Sequence, residues 1–389
     1  MRQHALLSAS AAHRWLNCTA APKMEAKFPD TTSEYAKEGT LAHSIAELKL
    51  RAYAVEPMSL AAFTWRMNKL KKDELYQPEM GTHAETYLDY VKGILLSCKV
   101  KPYVAAEKRV DFSQYVPDGF GTADCLIMTP KELHVIDFKY GKGVPVDAAN
   151  NPQMRLYALG ALSAYHFLYR FETVHMHIIQ PRINNFSQET LGIEQLTQWA
   201  ESVVKPKAQE AYTEGKGQFH PGDWCRFCRA KAQCKARSEA YAAMAATAEE
   251  KHDPTMVTMP ELGNYLTIAK QLKAWAEDLQ EYGLSCTLQG IHVPGWKCVE
   301  GRGSRAFKDT DAAFKALMDN GIDESVLYER VPLTLAKTEK TIGKKLFTEL
   351  VGDYVEKKPG KPTLAPTSDK RPPMDLTPKA ADVFKKIDE

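Results

Sequence analysis

The sequence predicts a mixed α/β protein, and three observations carry that prediction. Strand-like stretches rich in β-branched and apolar residues follow one another at 103–110 (YVAAEKRV), 120–128 (FGTADCLIM) and 133–140 (LHVIDFKY). Segments with apolar residues at helical spacing lie before and after them. The resulting order of helix, strands, helix, strand, helix suits a mixed sheet flanked by helices, followed by a smaller C-terminal region.

The first helix is expected over 34–54, where Leu41, Ile45, Leu48 and Ala52 form one stripe, and the second over 82–98. After the three strands, a helix is expected from 152 to about 169, because Asn151 is a good N-cap and Pro152 suits the first helical position. A strand fits 173–180 (TVHMHIIQ) and a helix fits 192–213. An amphipathic helix over 256–283, with Tyr265, Ile268, Leu272, Trp275 and Leu279 on its stripe, begins the C-terminal region, taken as 241–354. From 355 the chain is rich in Pro and Lys (EKKPGKPTLAPTSDKRPP) and is expected to be disordered.

The 389 residues are enough for a sizeable core and two domains, and 44% hydrophobic with 26% charged residues is the composition of a folded, soluble chain. No apolar run reaches the length of a membrane span, and the N-terminal MRQHALLSASAAHRWLNC makes a poor signal-peptide core. The expected location is therefore intracellular. A net charge of +2 does not advertise a nucleic-acid binder, so any basic surface is local. Eight cysteines in an intracellular chain point to metal or catalysis rather than disulfides.

The stretch VIDFKYGKG places Asp137 and Lys139 two residues apart, hence on one face of a strand. A surface ion pair at a strand end is the plain alternative. If Thr129–Glu132 form the hairpin loop, Met128 faces Leu133 and Asp124 lies directly opposite Asp137. Two carboxylates so placed in otherwise apolar strands call for a cation, and a small number of hard oxygen ligands favours Mg²⁺ or Mn²⁺. Lys139, farther along the same face, is within reach of a water or a phosphate oxygen. This register holds only without a one-residue slip. Glu107 is either a third carboxylate on the neighbouring strand or an exposed strand residue. His43 sits one position off its helix stripe and is either structural or a ligand. Gln153 and Tyr157, four apart, share a helix face.

In order, Gly39-x-x-x-His43, Glu107, Gly121-x-x-Asp124, Asp137-x-Lys139 and Gln153-x-x-x-Tyr157 resemble the motifs of RecB-type nucleases of the PD-(D/E)XK superfamily. The resemblance implies a restriction-endonuclease-like core. It also implies that His43, Asp124 and Asp137 bind metal, that Lys139 positions or activates water, and that Gln153 and Tyr157 hold substrate.

Cys225-x-x-Cys228 followed by Cys234 has the close spacing of a soft-metal site, for Zn²⁺ or an iron–sulfur cluster. A fourth ligand is wanted from Cys18, Cys98, Cys125, Cys286 or Cys298. Cys125 faces away from Asp124 and reads as core, and Cys98 at a helix end reads likewise. A subset of RecB-type nucleases carries one cysteine before the histidine motif and three after the Gln-x-x-x-Tyr motif, binding a [4Fe–4S] cluster. That resemblance implies Cys18, Cys225, Cys228 and Cys234, with Zn²⁺ at the same ligands as the alternative. It covers 18–234 and implies a nuclease domain over 1–240 closed by the cluster. The arrangement also looks like a phage and prophage protein family with this core. Arg226, Arg229, Lys231, Lys235 and Arg237 surround the cysteines as a basic patch or a solvated face, and Trp224 and Phe227 are expected to shield the cluster.

The function implied is a metal-dependent DNA nuclease hydrolysing phosphodiester bonds, by family analogy an exonuclease of phage replication or recombination in the cytoplasm of a bacterial host. With no G-x-x-x-x-G-K-[ST] loop in the chain, strand separation falls to a partner such as a helicase or a single-strand-binding protein. The alternatives are a non-catalytic DNA-binding or adaptor protein that keeps the core, and a zinc-ribbon interaction protein.

Overall fold

The computed structural model describes residues 5–29, 34–246 and 258–298, with the isolated positions 315, 318, 319 and 343. Chain contacts form two units, Met1–Val299 and Glu300–Glu389. The expected tail at 355–389 lies outside the described residues.

The first unit holds one five-stranded sheet with its strands side by side in chain order: β1 (Tyr103–Asp111), β2 (Phe120–Met128), β3 (Glu132–Phe138), β4 (Thr173–Gln180) and β5 (Asn185–Gly192). Its helices are α1 (Ala12–Asn17), α2 (Ala21–Glu25), α3 (Glu34–Leu50), α4 (Leu60–Leu70), α5 (Pro78–Ser97), α6 (Pro152–Tyr165), α7 (Ile193–Trp199), α8 (Lys205–Tyr212), α9 (Lys235–Ala246) and α10 (Met259–Leu288). The fold class is therefore mixed α/β. No helix among the described residues is long and apolar enough to cross a membrane.

β1–β2, β2–β3 and β4–β5 are antiparallel. β3 and β4 are parallel, which requires a crossover, and α6 supplies it. Asn151 caps α6 as expected, accepting from Gln153 N–H and Met154 N–H at 3.0 and 3.3 Å. The helix expected over 192–213 is α7 and α8 joined by a π-helical turn at Ala200–Val204. β5 and α4 carry no clear periodic signal. In β5, exposed Phe186 and Gln188 alternate with buried polar Asn185 and Ser187, so both faces read as polar.

Both faces of the sheet are covered. Ala105, Leu126, Met128, Leu133, Val135 and Met176 pack against α1, α6 and α8. Ala106, Cys125, Ile127, Ile136 and Phe138 pack against α3 and α5. Two-sided burial is why the second half of β2 reads as a continuous apolar run, Cys125–Met128. Each fully buried aliphatic chain contributes roughly 1.5–3 kcal/mol.

The alternation slips once in each of two neighbouring strands. In β1, Ala105 and Val110 enter the same core, and in β2 so do Leu126 and Ala123. Residues an odd number apart normally face opposite ways. Both slips lie beside Glu107 and Asp124, where the sheet carries its acids.

Candidate functional site

The site is built on an opening in the sheet around Asp124. The β2–β3 register is the expected one, with Met128 facing Leu133, but the ladder ends at Cys125–Ile136. Asp124 and Asp137 therefore do not form the directly opposed ladder pair expected from the sequence. Instead the Phe138 backbone N–H donates to Asp124 Oδ2 at 2.7 Å. Two carboxylates held roughly 5 Å apart repel one another. Where the ladder ends, the Phe138 N–H gives Asp124 a charge-assisted hydrogen bond that offsets part of that repulsion.

On the other side of Asp124 the β1–β2 ladder runs from Ala106–Cys125 to Lys108–Ala123 and skips Glu107. Glu107 has φ +48°, a left-handed conformation unusual for this residue. Such strain costs on the order of 1–3 kcal/mol and persists only where its surroundings enforce it. Arg51 contributes to that enforcement: it donates to the Ala106 carbonyl at 3.2 Å while pairing with Glu47 at 2.6 Å. Glu107 joins His43 and Asp124, and the three offer ligand atoms within 4.8 Å of one another. His43 Nδ1 stands 3.4 Å from Asp124 Oδ2.

Asp137, expected as a ligand beside His43 and Asp124, is held from the α6 side. Lys139 Nζ lies 3.0 Å from Asp137 Oδ2, and Gln153 Nε2 donates to Asp137 Oδ1 at 3.3 Å. Lys139 donates to Gln153 Oε1 at 3.2 Å, and Gln153 Nε2 reaches the Tyr157 hydroxyl at 3.1 Å. Gln153 and Tyr157 thus extend a polar chain from Lys139. Asp137 Oδ2 is fully buried, and despite its closeness to the ammonium no donor meets it in hydrogen-bonding geometry. Gly121 belongs to the same assembly: a Cβ there would lie 2.5 Å from the Tyr157 ring, so the glycine lets α6 bring Tyr157 to the strand.

The charges are strongly coupled. Burial lowers the affinity of His43 for a proton, but the Asp124 carboxylate overcomes this and lifts its pKa to about 9. Burial raises Asp124 less than His43 and Lys139 lower it, so it stays below the usual range. Burial raises Asp137 above that range against the pull of Lys139. Glu107 is lifted to about 7 by burial and by the carboxylates of Asp124 and Glu47. The donor set is one imidazole nitrogen with carboxylate oxygens and a buried oxygen lacking a donor, which fits a hard divalent ion. The Phe138 N–H and the Arg51 brace are parts of the site that sequence reasoning did not name. One is a backbone group and the other acts through a backbone carbonyl, so neither has a residue-type signature.

The cysteines form a second site. Cys18, Cys225, Cys228 and Cys234 line one small cavity, open to solvent, together with Trp224, Arg14, Lys231 and Arg237. Cys18 thus meets residues more than 200 positions away. Several polar links hold it there. Ala20 N–H donates to the Gln218 carbonyl at 3.1 Å, Thr19 hydroxyl to Glu210 at 2.7 Å, and Lys207 to the Leu16 carbonyl at 2.5 Å. Glu25, buried, accepts from Arg14 and from Arg229 N–H at 2.7 and 2.9 Å. A Cβ on Gly217 would lie 2.8 Å from Ala20, so the crossing needs glycine. Burial pushes the Cys18 and Cys225 thiols up, and Cys228 to about 11. Cys125 lies in the sheet core as expected, and Cys98 is half-buried at the end of α5.

Two expectations at this end are corrected. Phe227 does not shield the cavity: it is 62% exposed, with the Arg226 guanidinium over its ring. Arg237 and Lys231 are not a free basic face. Arg237 is buried and pairs with Asp278 of α10 at 2.6 Å, and Lys231 pairs with the same carboxylate at 2.7 Å. The guanidinium is shielded from water, and its charge is already matched.

The fold and the two sites define an α/β protein with an acid–histidine centre at an opening in its sheet and a four-cysteine cavity at the junction of its N-terminal segment with the α8–α9 loop. The chain belongs to the family described as "Protein of unknown function (DUF2800)", whose model matches residues 4–372. Among solved structures, one described as "Crystal structure of SSO0001" is 15% identical to it, covering 56% of this chain and 95% of that one, at a TM-score of 0.21.

Proposed function

We propose that this chain is a metal-dependent deoxyribonuclease that hydrolyses phosphodiester bonds, with His43, Glu107 and Asp124 as the metal-holding set and Asp137, Lys139, Gln153 and Tyr157 completing the site. The observation that carries the reading is the sheet opening at Asp124, with a carboxylate on each side and an imidazole facing it. A divalent ion held there would lower the pKa of water and offset phosphoryl charge. Asp124 is held by the Phe138 N–H and His43. Gln153 fixes Asp137 and Lys139 relative to each other. Lys139 donates to Gln153 and lies against Asp137 as an ion pair, which leaves N–H groups for a phosphate oxygen or an attacking water. The motif order His43, Asp124, Asp137-x-Lys139, Gln153-x-x-x-Tyr157 supports the assignment to RecB-type nucleases of the PD-(D/E)XK superfamily, and exonuclease action in phage replication or recombination goes with that analogy.

The cysteine cavity is proposed to hold a [4Fe–4S] cluster. Four thiols that line one cavity, from residue 18 and residues 225–234, support a cluster there, and Zn²⁺ at the same ligands is the alternative.

The deciding assay uses end-labelled linear and circular DNA with Mg²⁺, Mn²⁺ or chelator, for the wild-type chain and Asp137→Asn. Metal-dependent cleavage that Asp137→Asn abolishes is expected. Full cleavage by that variant overturns the assignment at this site. Metal-dependent DNA binding without cleavage by the wild type favours the adaptor reading.

A further inference from the structure

Away from both sites, the α5-facing side of the sheet gathers three histidines. β3 and β4 pair in parallel with His134 opposite His175, and His177 follows two residues on, so all three share one face. Their rings lie nearly parallel, with centroids 4.6 Å (His134–His175), 5.4 Å (His134–His177) and 6.5 Å (His175–His177) apart. His134 lies three residues before Asp137, roughly 10 Å along the strand by its rise.

We propose that His134, His175 and His177 form a metal site of their own for a borderline ion such as Zn²⁺.

The argument is one of nitrogen placement. His134 Nδ1 and His177 Nε2 lie 3.2 Å apart. Two imidazole nitrogens about 2.0–2.1 Å from one tetrahedral ion stand roughly 3.4 Å apart, so this pair is already at ligand spacing. In the bare protein a hydrogen lies between them, and an imidazole can move that hydrogen to its other ring nitrogen without net proton release. The outward nitrogens are anchored by hydroxyls: Tyr90 OH meets His177 Nδ1 at 3.1 Å, and Thr190 Oγ1 meets His175 Nδ1 at 2.9 Å. Metal-binding histidines are ordinarily oriented in this way through the ring nitrogen that does not bind. His175 Nε2 is buried and has no hydrogen-bond partner, so it is the third donor. The three nitrogens do not all fall within 4.8 Å of one another, so His175 turns about its side-chain torsions to close the set. His134 and His175 are only half-buried, which leaves a route in. Glu132, two residues before His134, is close enough to act on His175 and supplies negative charge. Three histidines with a position left for water or a carboxylate is a known zinc ligand set.

The test titrates metal-stripped full-length chain with Zn²⁺ against a chromophoric chelator, and with Co²⁺ as a spectroscopic stand-in. The wild type is expected to bind one more equivalent than His134→Asn, His175→Gln or His177→Gln, with Co²⁺ at that equivalent showing tetrahedral bands and no thiolate charge transfer. Cys225→Ser and Asp124→Asn should keep that equivalent. Tyr90→Phe and Thr190→Val, which leave the ligands in place, should weaken it roughly tenfold or more. Equal stoichiometry and affinity in wild type and His175→Gln overturn the proposal. His175→Gln removes no bond of its Nε2, so this readout survives even where His177→Gln folds poorly. The extra equivalent stands or falls independently of nuclease activity.

Discussion

The acid–histidine centre and the cysteine cavity are held together in opposite ways. At the centre, β1, β2, β3, α3 and α6 deliver every group, and each side chain leans on main chain or on another site residue: Asp124 on the Phe138 N–H, Gln153 on Asp137, Lys139 and Tyr157. At the cavity, the cysteines come from chain segments 200 residues apart, and the links that bring Cys18 there are peripheral, from Thr19, Lys207 and Glu25. The centre sits on a frame that the apolar cores already secure. The cavity would become part of the frame on the proposed reading, because a cluster bound there would tie the N-terminal segment to the far end of the domain.

The sharpest test of this contrast is to empty each site in turn. Asp124→Ala, Asp137→Ala and Lys139→Ala should each cut metal-dependent cleavage by roughly 100-fold or more, with circular dichroism and thermal midpoint little changed. Loss of the fold in these variants would break the comparison. His43→Ala should slow cleavage and weaken metal binding, read as a higher metal concentration for half-maximal activity. Cys18→Ser should do the reverse: it should abolish the brown colour, iron and acid-labile sulfide, and lower the thermal midpoint. With the proposed cluster bound, metal-ligand free energy would be folding free energy, and a loss of about 2–3 kcal/mol corresponds to roughly 5–10 °C. Cys98→Ser and Cys125→Ser should keep the colour.

A smaller effect separates anchoring from ligation. Gln153→Ala and Tyr157→Phe should lower cleavage roughly 10- to 100-fold while leaving metal affinity largely intact, read as a kcat loss at saturating Mn²⁺. The smallest effect concerns pH at the cavity. Lys231 and Arg237 overcome burial and hold Asp278 below the usual carboxylate range. A depressed folded-state pKa gives stability that is present above the unfolded value, near 4, and is lost as pH falls through the folded one. Asp278→Asn should therefore lower the thermal midpoint at pH 7 and flatten its fall between pH 5 and 3. An unchanged acid limb would show that Asp278 does not tie α10 to the cysteine loop.

Much of the architecture was legible in the sequence. The positions of β1, β2 and β4, the register of the β2–β3 hairpin and the Asn151–Pro152 start of α6 follow from local pattern, turn length and capping. β5 was not legible, because its buried positions are Asn185 and Ser187. Their polar atoms are satisfied by the 146–150 loop and by Gln180 rather than by any periodic signal: Asn185 donates to the Val146 carbonyl, and Ser187 accepts from Ala148 N–H.

What the sequence determined by itself is which residue types are present and which face each takes while alternation holds. It placed Asp137 and Lys139 together, named His43 and Asp124, and grouped Cys225 with Cys228 and Cys234. Only the tertiary structure decided that alternation fails at Glu107 and Asp124. There a left-handed residue braced by Arg51 turns a strand glutamate toward the histidine, and Asp137 is left to Lys139 and Gln153. The motif resemblance had already joined Cys18 to Cys225, Cys228 and Cys234; the tertiary structure brought it to their cavity through the Thr19, Lys207 and Glu25 links, and it alone matched Arg237 with Asp278. The physical reason is range. Periodicity and capping act over a few residues and are written in the local chain. Carboxylate repulsion across a ladder, a strained φ and the meeting of segments 200 residues apart depend on what the rest of the fold brings alongside.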